Sequence, residues 1–216
     1  EFRRVLFRSA LSNLSNNLVQ TFACAQRLFD ILDEVPAVEE VDGDIELNSS
    51  HINVENVNFA YKDRLDNLLK NINLEIKPGD KIGILGESGC GKSTFLKLLM
   101  RFWDVNEGSI SLDNKNIKTM PTKTLRRSQS LVTQETFLFN DTIENNIKIG
   151  KKDATKEEVI AACKKASIHE FIQTLPKGYK TNAGELGSNF SSGEKQRIGI
   201  ARAFLHDADI LILDEP

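Results

Sequence analysis

The sequence is poor in the features that mark several large classes of protein. Its three cysteines, Cys24, Cys90 and Cys163, lie far apart and form no C-x-x-C pair, so we expect neither a disulfide scaffold nor a cysteine zinc site. No apolar run approaches the roughly 20 residues needed to cross a bilayer. The formal net charge of −3 gives no basic excess, so we expect no nucleic-acid partner.

What remains is the composition of a globular domain. The 216 residues are 40% hydrophobic and 27% charged, which is enough to build a core. The first residues, Glu1-Phe-Arg-Arg-Val-Leu-Phe-Arg-Ser9, lack the apolar centre of a signal peptide. They contain no initiator methionine and resemble translated adaptor sequence. We therefore base no fold prediction on residues 1–9 and expect a piece of a longer chain.

The segment Gly86-Glu-Ser-Gly-Cys-Gly-Lys-Ser93 matches the phosphate-loop pattern G-x-x-x-x-G-K-[ST]. An apolar run over 81–85 predicts a fully buried parallel strand before it, and the pattern over 94–100 predicts a helix after it. Glycines let backbone N–H groups point inward at phosphate, and the helix adds its positive end. Lys92 is placed to reach the β- and γ-phosphates and Ser93 to ligate Mg²⁺. The alternative is a plain glycine-rich turn before an ordinary helix, but such a turn does not require lysine and serine at positions 92 and 93.

Residues 11–32 predict an amphipathic helix. Its apolar positions are spaced by three or four residues: Leu11, Leu14, Leu18, Phe22, Ala25, Phe29 and Leu32. Two interpretations stay open: a surface helix that packs on its own domain, or the tail of a longer helix. Pro36 and the acidic segment around it predict a linker.

A β-rich block follows the linker. The apolar pattern of 52–59 changes phase at Asn56, which predicts a bulge or bend, and residues 72–76 alternate until Pro78-Gly79. Another short strand is predicted at 108–112 with a turn at Asp113-Asn114. Antiparallel strands with one wet face suit this alternation.

Helical signals dominate beyond Gln134. Thr155-Lys-Glu-Glu158 is a capping box, and Ser191 is placed to cap the first turn of a last helix. Ile210-Leu-Ile-Leu213 then predicts a buried strand that ends in Asp214 and Glu215. One acidic residue at the end of a strand is common, so by itself it is weak evidence of a functional site. With a phosphate loop upstream, one carboxylate is expected near Mg²⁺ and the other near the attacking water.

In these motifs the chain strongly resembles the nucleotide-binding domain of an ABC transporter, over residues 45–216. The phosphate loop corresponds to Walker A, and 210–215 to Walker B with the catalytic glutamate. Phe190-Ser-Ser-Gly-Glu-Lys-Gln-Arg197 is similar to the ABC signature, Gln134 matches the Q-loop glutamine, and Tyr61 matches the aromatic that stacks on adenine.

The resemblance implies a P-loop NTPase α/β core with an antiparallel β subdomain, an α-helical subdomain at about 135–205, and a long helix before them. It implies ATP and Mg²⁺ as cofactors. Glu215, Gln134 and Lys92 would be catalytic, and Ser93, Gln134 and Asp214 would hold the metal. The nucleotide-binding set would be Tyr61, Gly86, Glu87, Ser88, Gly89, Cys90, Gly91, Lys92, Ser93, Thr94, Ser191, Gly193 and Glu194.

Two features resemble exporters within this family. Thr181-Asn-Ala-Gly-Glu-Leu-Gly187 is similar to the segment that touches a permease's intracellular loops. Residues 1–35 are similar to the cytoplasmic end of the last transmembrane helix of a fused subunit, and 36–44 would be the linker. The implied partners are the permease of the same chain and a second ATP-binding domain, at the cytoplasmic face of a bacterial cell membrane.

The chain departs from the family pattern at Ser192, which replaces a signature glycine, and at Glu194, which replaces the glutamine. Ser192 adds bulk where backbone approach is close. The resemblance also places the D-loop and the switch histidine after Pro216, so His51, His169 and His206 are not that histidine, and solvated or helix-end positions are expected for them. We expect this piece alone to be inactive, because a central strand would be lacking between the Walker strands.

Three rival functions are less consistent with the sequence. A non-transport ABC-type ATPase would lack helix 11–32 and carry long coiled-coil or basic insertions. A catalytically silent nucleotide-binding regulatory subunit is disfavoured by Lys92, Asp214 and Glu215. A P-loop kinase would have no use for the signature-like segment.

Overall fold

The computed structural model describes residues 2–62 and 66–215, with side chains from residue 12 onward. The described helices are α1 (Phe2–Leu32), α2 (Lys92–Leu99), α3 (Thr122–Ser128), α4 (Ile143–Lys148), α5 (Lys156–Lys165), α6 (His169–Thr174) and α7 (Ser192–His206). The described strands are β1 (Ile52–Phe59), β2 (Leu69–Ile76), β3 (Glu107–Leu112), β4 (Lys115–Asn116), β5 (Gln129–Val132) and β6 (Ile210–Leu213). Three short 3₁₀ turns cover Ile117–Thr119, Gly178–Lys180 and Glu185–Gly187.

Helix α1 belongs to the first of two compact units, which divide between residues 39 and 40. The helix predicted over 11–32 is confirmed, and it also includes the residues from Phe2 onward. Its large apolar side chains are exposed, among them Leu18 at 50% and Phe22 at 72%, while Ala25 is half-buried and Leu11 lies outside the described side chains. No helix in the described part of the chain is both long enough and apolar enough to cross a membrane.

The second unit begins with a four-stranded antiparallel sheet in the order β2-β1-β3-β4. The register of β1 against β2 shifts between Val54 and Val57, and Asn56 takes a positive φ of 49°. The bulge predicted at Asn56 is therefore confirmed. Asp113 and Asn114 both have positive φ, as a two-residue hairpin turn requires, so the predicted turn between β3 and β4 is confirmed too.

The first core lies between this sheet and α2. Val54 and Val57 on β1 and Leu98 on α2 are 0–1% exposed. Burying each of these side chains contributes about 1.5–3 kcal/mol relative to leaving it in water. Because α2 starts directly at the phosphate loop, this packing fixes the helix end against the sheet.

A two-stranded parallel sheet joins β5 and β6, with Gln129 opposite Ile210 and Val132 opposite Leu213. Asp214 N donates to Val132 O (2.9 Å), which extends the ladder by one residue. Strand β5 has no clear alternation and was not predicted. This pairing brings the segments that carry Gln134 and Glu215 to the same sheet edge.

Two burial predictions were wrong. Residues 81–85 form no strand and are exposed, with Leu85 at 95%, and in β6 only Ile212 is buried while Leu211 and Leu213 are 45% and 43% exposed. A fully buried parallel strand needs neighbours at its edges and helices on both faces. Within the described residues no strand pairs with 81–85, so its apolar side chains have nothing to pack against.

The second core gathers α4, α5, α6 and α7 around Ile147, Cys163, Ile172 and Ile198, which are all 0% exposed. The capping box predicted at Thr155 is present at the start of α5. Ser191 and Glu194 form a second capping box at the start of α7, so the predicted cap at Ser191 is confirmed. These caps set where the helices begin, and α7 then passes from the helical core to β6.

Candidate functional site

The phosphate loop lies before α2 in a conformation that depends on glycine. Gly89 and Gly91 have φ of 79° and 102°, in the left-handed region where side chains are strained. A Cβ on Gly86 would lie 2.7 Å from the Cys90 Sγ, closer than real side chains approach. The Gly91 cap of α2 offers no side chain to the first-turn N–H groups, which remain available to an anion.

Lys92 bends back over this loop. Its Nζ donates to the carbonyl oxygens of Gly86 (3.0 Å) and Glu87 (2.9 Å). The ammonium group therefore lies above the loop whose N–H groups would face a phosphate. A flexible lysine stem can exchange these two neutral acceptors for a charged oxygen, which forms the stronger hydrogen bond.

The phosphate loop and the acidic pair meet through Ser93. Its Oγ donates to Asp214 Oδ1 at 2.8 Å, across 121 positions of sequence. Ser93 and Asp214 are both half-buried. A hydroxyl and a carboxylate oxygen are the hard ligands that Mg²⁺ takes from proteins, usually with substrate phosphates and water completing the shell. The pair fits that metal, although the described residues contain no cluster of three or more His, Cys, Asp or Glu that could hold one by itself.

Glu215 and Gln134 form a second contact beside the first. Gln134 Nε2 donates to Glu215 Oε2 (3.0 Å), and Gln196 Nε2 of α7 reaches the Glu215 carbonyl oxygen at 3.4 Å. Glu215 and Gln134 are exposed, so water reaches the carboxylate. The amide oxygen of Gln134 is a further hard ligand, and Gln134 is joined by this bond to the residue that follows Asp214. Sequence reasoning missed Gln196, although it lies within the signature-like segment.

Tyr61 lies against the first turn of α2. Its hydroxyl is 3.0 Å from Thr94 Oγ1, and its ring packs edge-on against Phe59 and Trp103. The structure thus brings Tyr61 next to Thr94, two residues assigned to the nucleotide from separate motifs. The sequence predicted no role for Trp103. It is the single tryptophan of the chain, and no other feature of the sequence drew attention to it.

The side-chain hydrogen bonds of Ser191 and Glu194 stay within the first turn of α7 and do not reach these groups. Ser191 N donates to Glu194 Oε2 (2.7 Å), and Ser191 Oγ accepts from Glu194 N (3.4 Å). Ser191, Ser192 and Gly193 are exposed, and a Cβ on Gly193 would meet nothing within 4 Å. The start of α7 is therefore an open surface, and Glu194, which departs from the family pattern, serves as a helix cap.

The three thiols differ in accessibility. Cys90 in the phosphate loop and Cys24 in α1 are exposed, while Cys163 is buried. Burial raises the pKa of Cys163 to about 11, in spite of a hydrogen bond with Tyr179. Reagents that attack thiolates will therefore modify Cys24 and Cys90 and spare Cys163.

The histidines occupy the kinds of position expected for them. His169 opens α6 and His206 closes α7. His51, directly before β1, contacts Glu75 Oε1 of β2 at 3.0 Å, and this contact is exposed. His169 contacts Tyr179, and His206 contacts the carbonyl oxygens of Gly150 and Arg126, so none of these hydrogen bonds involves the phosphate loop or the acidic pair.

The family model for ABC transporters matches residues 69–216. A probable ABC transporter ATP-binding/permease protein of Haemophilus influenzae is 52% identical over 96% of this chain and 37% of its own length. The ATP-dependent lipid A-core flippase of Syntrophus aciditrophicus is 46% identical over 95% of this chain and 34% of its own. The chain thus spans about a third of the length of these relatives.

A solved structure of an ABC exporter has the same fold as this chain. A bacterial Atm1-family ABC exporter with ATP bound superimposes with a TM-score of 0.84 at 39% identity, over 91% of this chain and 34% of that chain. The likeness confirms the predicted fold class, including the antiparallel sheet and the helical cluster. The chain belongs to the ABC transporter family.

Proposed function

We propose that this chain is the ATP-binding and ATP-hydrolysing domain of an ABC exporter, which drives transmembrane export by ATP-dependent dimerisation. The observation that carries the proposal is the 2.8 Å hydrogen bond between Ser93 and Asp214. It joins the phosphate loop to the strand-end carboxylate, and both groups are types that coordinate Mg²⁺. An ordinary glycine-rich turn would not need an acid from a strand 121 residues away.

The phosphate loop binds the nucleotide in this proposal. The N–H groups of 86–91 and of the first turn of α2 receive phosphate oxygens, and Lys92 exchanges its two carbonyl acceptors for the β- and γ-phosphates. Ser93, Asp214 and Gln134 hold Mg²⁺, which neutralises charge on the phosphate oxygens when bound. Tyr61 lies against the adenine ring, and Thr94 follows Ser93 in the same turn.

Hydrolysis is assigned to Glu215 with help from Gln134. The exposed Glu215 carboxylate polarises the attacking water, and its hydrogen bond to Gln134 Nε2 keeps the carboxylate oriented. Lys92 stabilises negative charge on the phosphate. In phosphoryl transfer such positioning and electrostatic stabilisation supply most of the catalysis.

A second ATP-binding domain completes each nucleotide site. Ser191 and Gly193 lie exposed at the positive end of α7, where they can contact the γ-phosphate bound to a partner domain. Glu194 supports this surface because it caps the same helix turn. The Ser192 side chain adds bulk beside Gly193. The phosphate bound to the partner domain would therefore lie slightly farther from this backbone than two glycines would allow.

The exporter assignment draws its support from the relatives, which are described as an ATP-binding/permease protein and a lipid A-core flippase. We propose that residues 1–35 are the cytoplasmic end of the last transmembrane helix, 36–44 a linker, and 45–216 the ATP-binding domain, with its helical subdomain at 135–205. The domain would then lie at the cytoplasmic face of the membrane, next to the permease of the same chain.

The test is the substitution Glu215→Gln in the intact transporter. Glutamine keeps the size of the side chain but cannot polarise water as a carboxylate does, so turnover should fall by about 100-fold or more while ATP binding stays within about twofold of wild type. Phosphate release and equilibrium ATP binding measure the two quantities. Ordinary hydrolysis rates in this variant would remove Glu215 from its role, and wild-type protein that does not bind ATP would overturn the proposal as a whole.

A further inference from the structure

The ring of Tyr61 packs against two other aromatic rings. The Tyr61 and Phe59 centroids are 5.0 Å apart with an interplanar angle of 81°, and the Tyr61 and Trp103 centroids are 5.3 Å apart at 90°. Perpendicular pairs at this separation are favoured by the quadrupoles of the rings. Phe59 is 3% exposed in β1, so one of the two supports is fixed in the core.

The other end of Tyr61 is fixed to the phosphate-loop helix. Its hydroxyl lies 3.0 Å from Thr94 Oγ1, and Thr94 is 8% exposed, so this hydrogen bond is partly buried. Thr94 follows Ser93 in the first turn of α2. The hydroxyl end of the phenol ring is thus placed by the same helix that carries the phosphate-binding residues.

Trp103 is fixed to that helix as well. Lys97 Nζ lies 5.9 Å from the centroid of the Trp103 ring, within the range of a cation–π interaction. Thr94 and Lys97 are three residues apart and therefore share one face of α2. The helix holds both rings through these two side chains: Tyr61 directly through Thr94, and Trp103 through Lys97.

We propose that Trp103 is a positioning residue for the nucleobase: it fixes the plane of the Tyr61 ring without itself contacting the nucleotide. The inference rests on the proposed function, in which Tyr61 lies against adenine. A ring that is already oriented loses less rotamer freedom when a base binds, which is worth about two- to tenfold in affinity. A ring free to turn about its side-chain bonds would forfeit that gain.

A purely structural role for Trp103 has a different signature. Trp103 is half-buried and also packs against the core around α2, so its loss could disturb the phosphate loop too. Such a disturbance would weaken binding of any polyphosphate. A positioning role acts on the base alone, and inorganic tripolyphosphate, which has no base, separates the two.

The experiment measures binding of a non-hydrolysable ATP analogue and of tripolyphosphate, both with Mg²⁺, to the intact transporter by calorimetry. Trp103→Leu removes the ring and Trp103→Phe retains an aromatic one. Phe102→Leu is the matched control, because Phe102 is the adjacent residue and its ring faces the Arg126 guanidinium at 4.7 Å.

Trp103→Leu should weaken the analogue about five- to tenfold and leave tripolyphosphate within twofold of wild type. Trp103→Phe should stay within about threefold for the analogue, and Phe102→Leu should change neither ligand. An unchanged affinity of Trp103→Leu for the analogue, or an equal loss for both ligands, would overturn the inference. Wild-type protein that binds neither ligand would instead overturn the proposed function.

Discussion

Replacement of Arg202 by methionine should loosen the loop that follows Gln134. Arg202, on α7, donates from Nη1 to Phe137 O (2.7 Å), from Nε to Asn146 O (2.7 Å) and from Nη2 to Asn146 Oδ1 (2.9 Å). No carboxylate of the described residues pairs with it, and burial lowers the pKa of Arg202. The guanidinium therefore connects the helix of the signature segment to this loop through neutral acceptors.

The size of the effect follows from these three bonds. Methionine keeps much of the aliphatic stem but donates nothing, so the carbonyl oxygens of Phe137 and Asn146 each lose a charged donor. Asn146 Oδ1 still accepts from Phe139 N (2.8 Å). A hydrogen bond to a charged group contributes about 1.5–3 kcal/mol, and removal of a buried cation offsets part of the loss. Two hydrogen bonds of this kind are lost without replacement. After the offset is subtracted, we expect the free energy of opening this loop to fall by about 2–4 kcal/mol.

Hydrogen exchange in the intact protein measures this cost where it arises. The amides of 137–146 should exchange about 30-fold faster or more in Arg202→Met, since 1.4 kcal/mol corresponds to a factor of ten in the opening equilibrium. Arg197→Met is the matched control on the same helix, because within the described residues its exposed guanidinium makes a single long contact, 3.5 Å to Ser167 O; it should change exchange by about twofold or less. Exchange within about threefold of wild type in Arg202→Met would refute the reasoning.

Two further predictions concern a thiol and a carboxylate. Complete alkylation of Cys90, exposed in the phosphate loop, should abolish ATP binding while Cys90→Ser retains it; unchanged affinity of the alkylated protein in an equilibrium binding assay would end that hypothesis. Two hydrogen bonds lower the pKa of the Glu158 carboxyl below its ordinary value of 4.5, the larger effect coming from Lys151 and the smaller from Thr155 N–H. The stabilisation that this carboxylate contributes is therefore present above pH 4.5 and is lost as the pH falls through the lowered pKa. The thermal unfolding temperature should therefore fall less steeply towards acid pH for Glu158→Gln than for wild type or Glu157→Gln. Identical curves would contradict the stabilisation assigned to the Glu158 carboxylate.

Features that depend on neighbouring residues could be predicted from the sequence. The caps at Thr155 and Ser191 and the turn at Asp113-Asn114 involve residues at most three positions apart, so the pattern itself contains the interaction. The bulge at Asn56 is set in the same way by a break in alternation. The meeting of Ser93 with Asp214 followed from two motifs and their shared chemistry, not from spacing.

Features that depend on distant partners were missed or wrong. Strand β5 is four residues long with a polar start, and its partner β6 lies far along the chain, so no local pattern revealed it. Residues 81–85 have the composition of a buried strand, yet burial requires neighbours that a pattern does not contain. Trp103 and Arg202 gave no local signal, because the contacts that carry their predicted roles are with residues remote in sequence, Tyr61 for the first and Phe137 and Asn146 for the second.

The most direct test of the central claim measures ATP affinity of Asp214→Asn with Mg²⁺ and with a chelator. If Ser93 and Asp214 share the metal that accompanies the nucleotide, the substitution should weaken binding about tenfold or more with Mg²⁺, and leave it unchanged when the metal is removed. Equal affinities of variant and wild type with Mg²⁺ present would contradict the claim. An equal loss with and without the metal would contradict it as well.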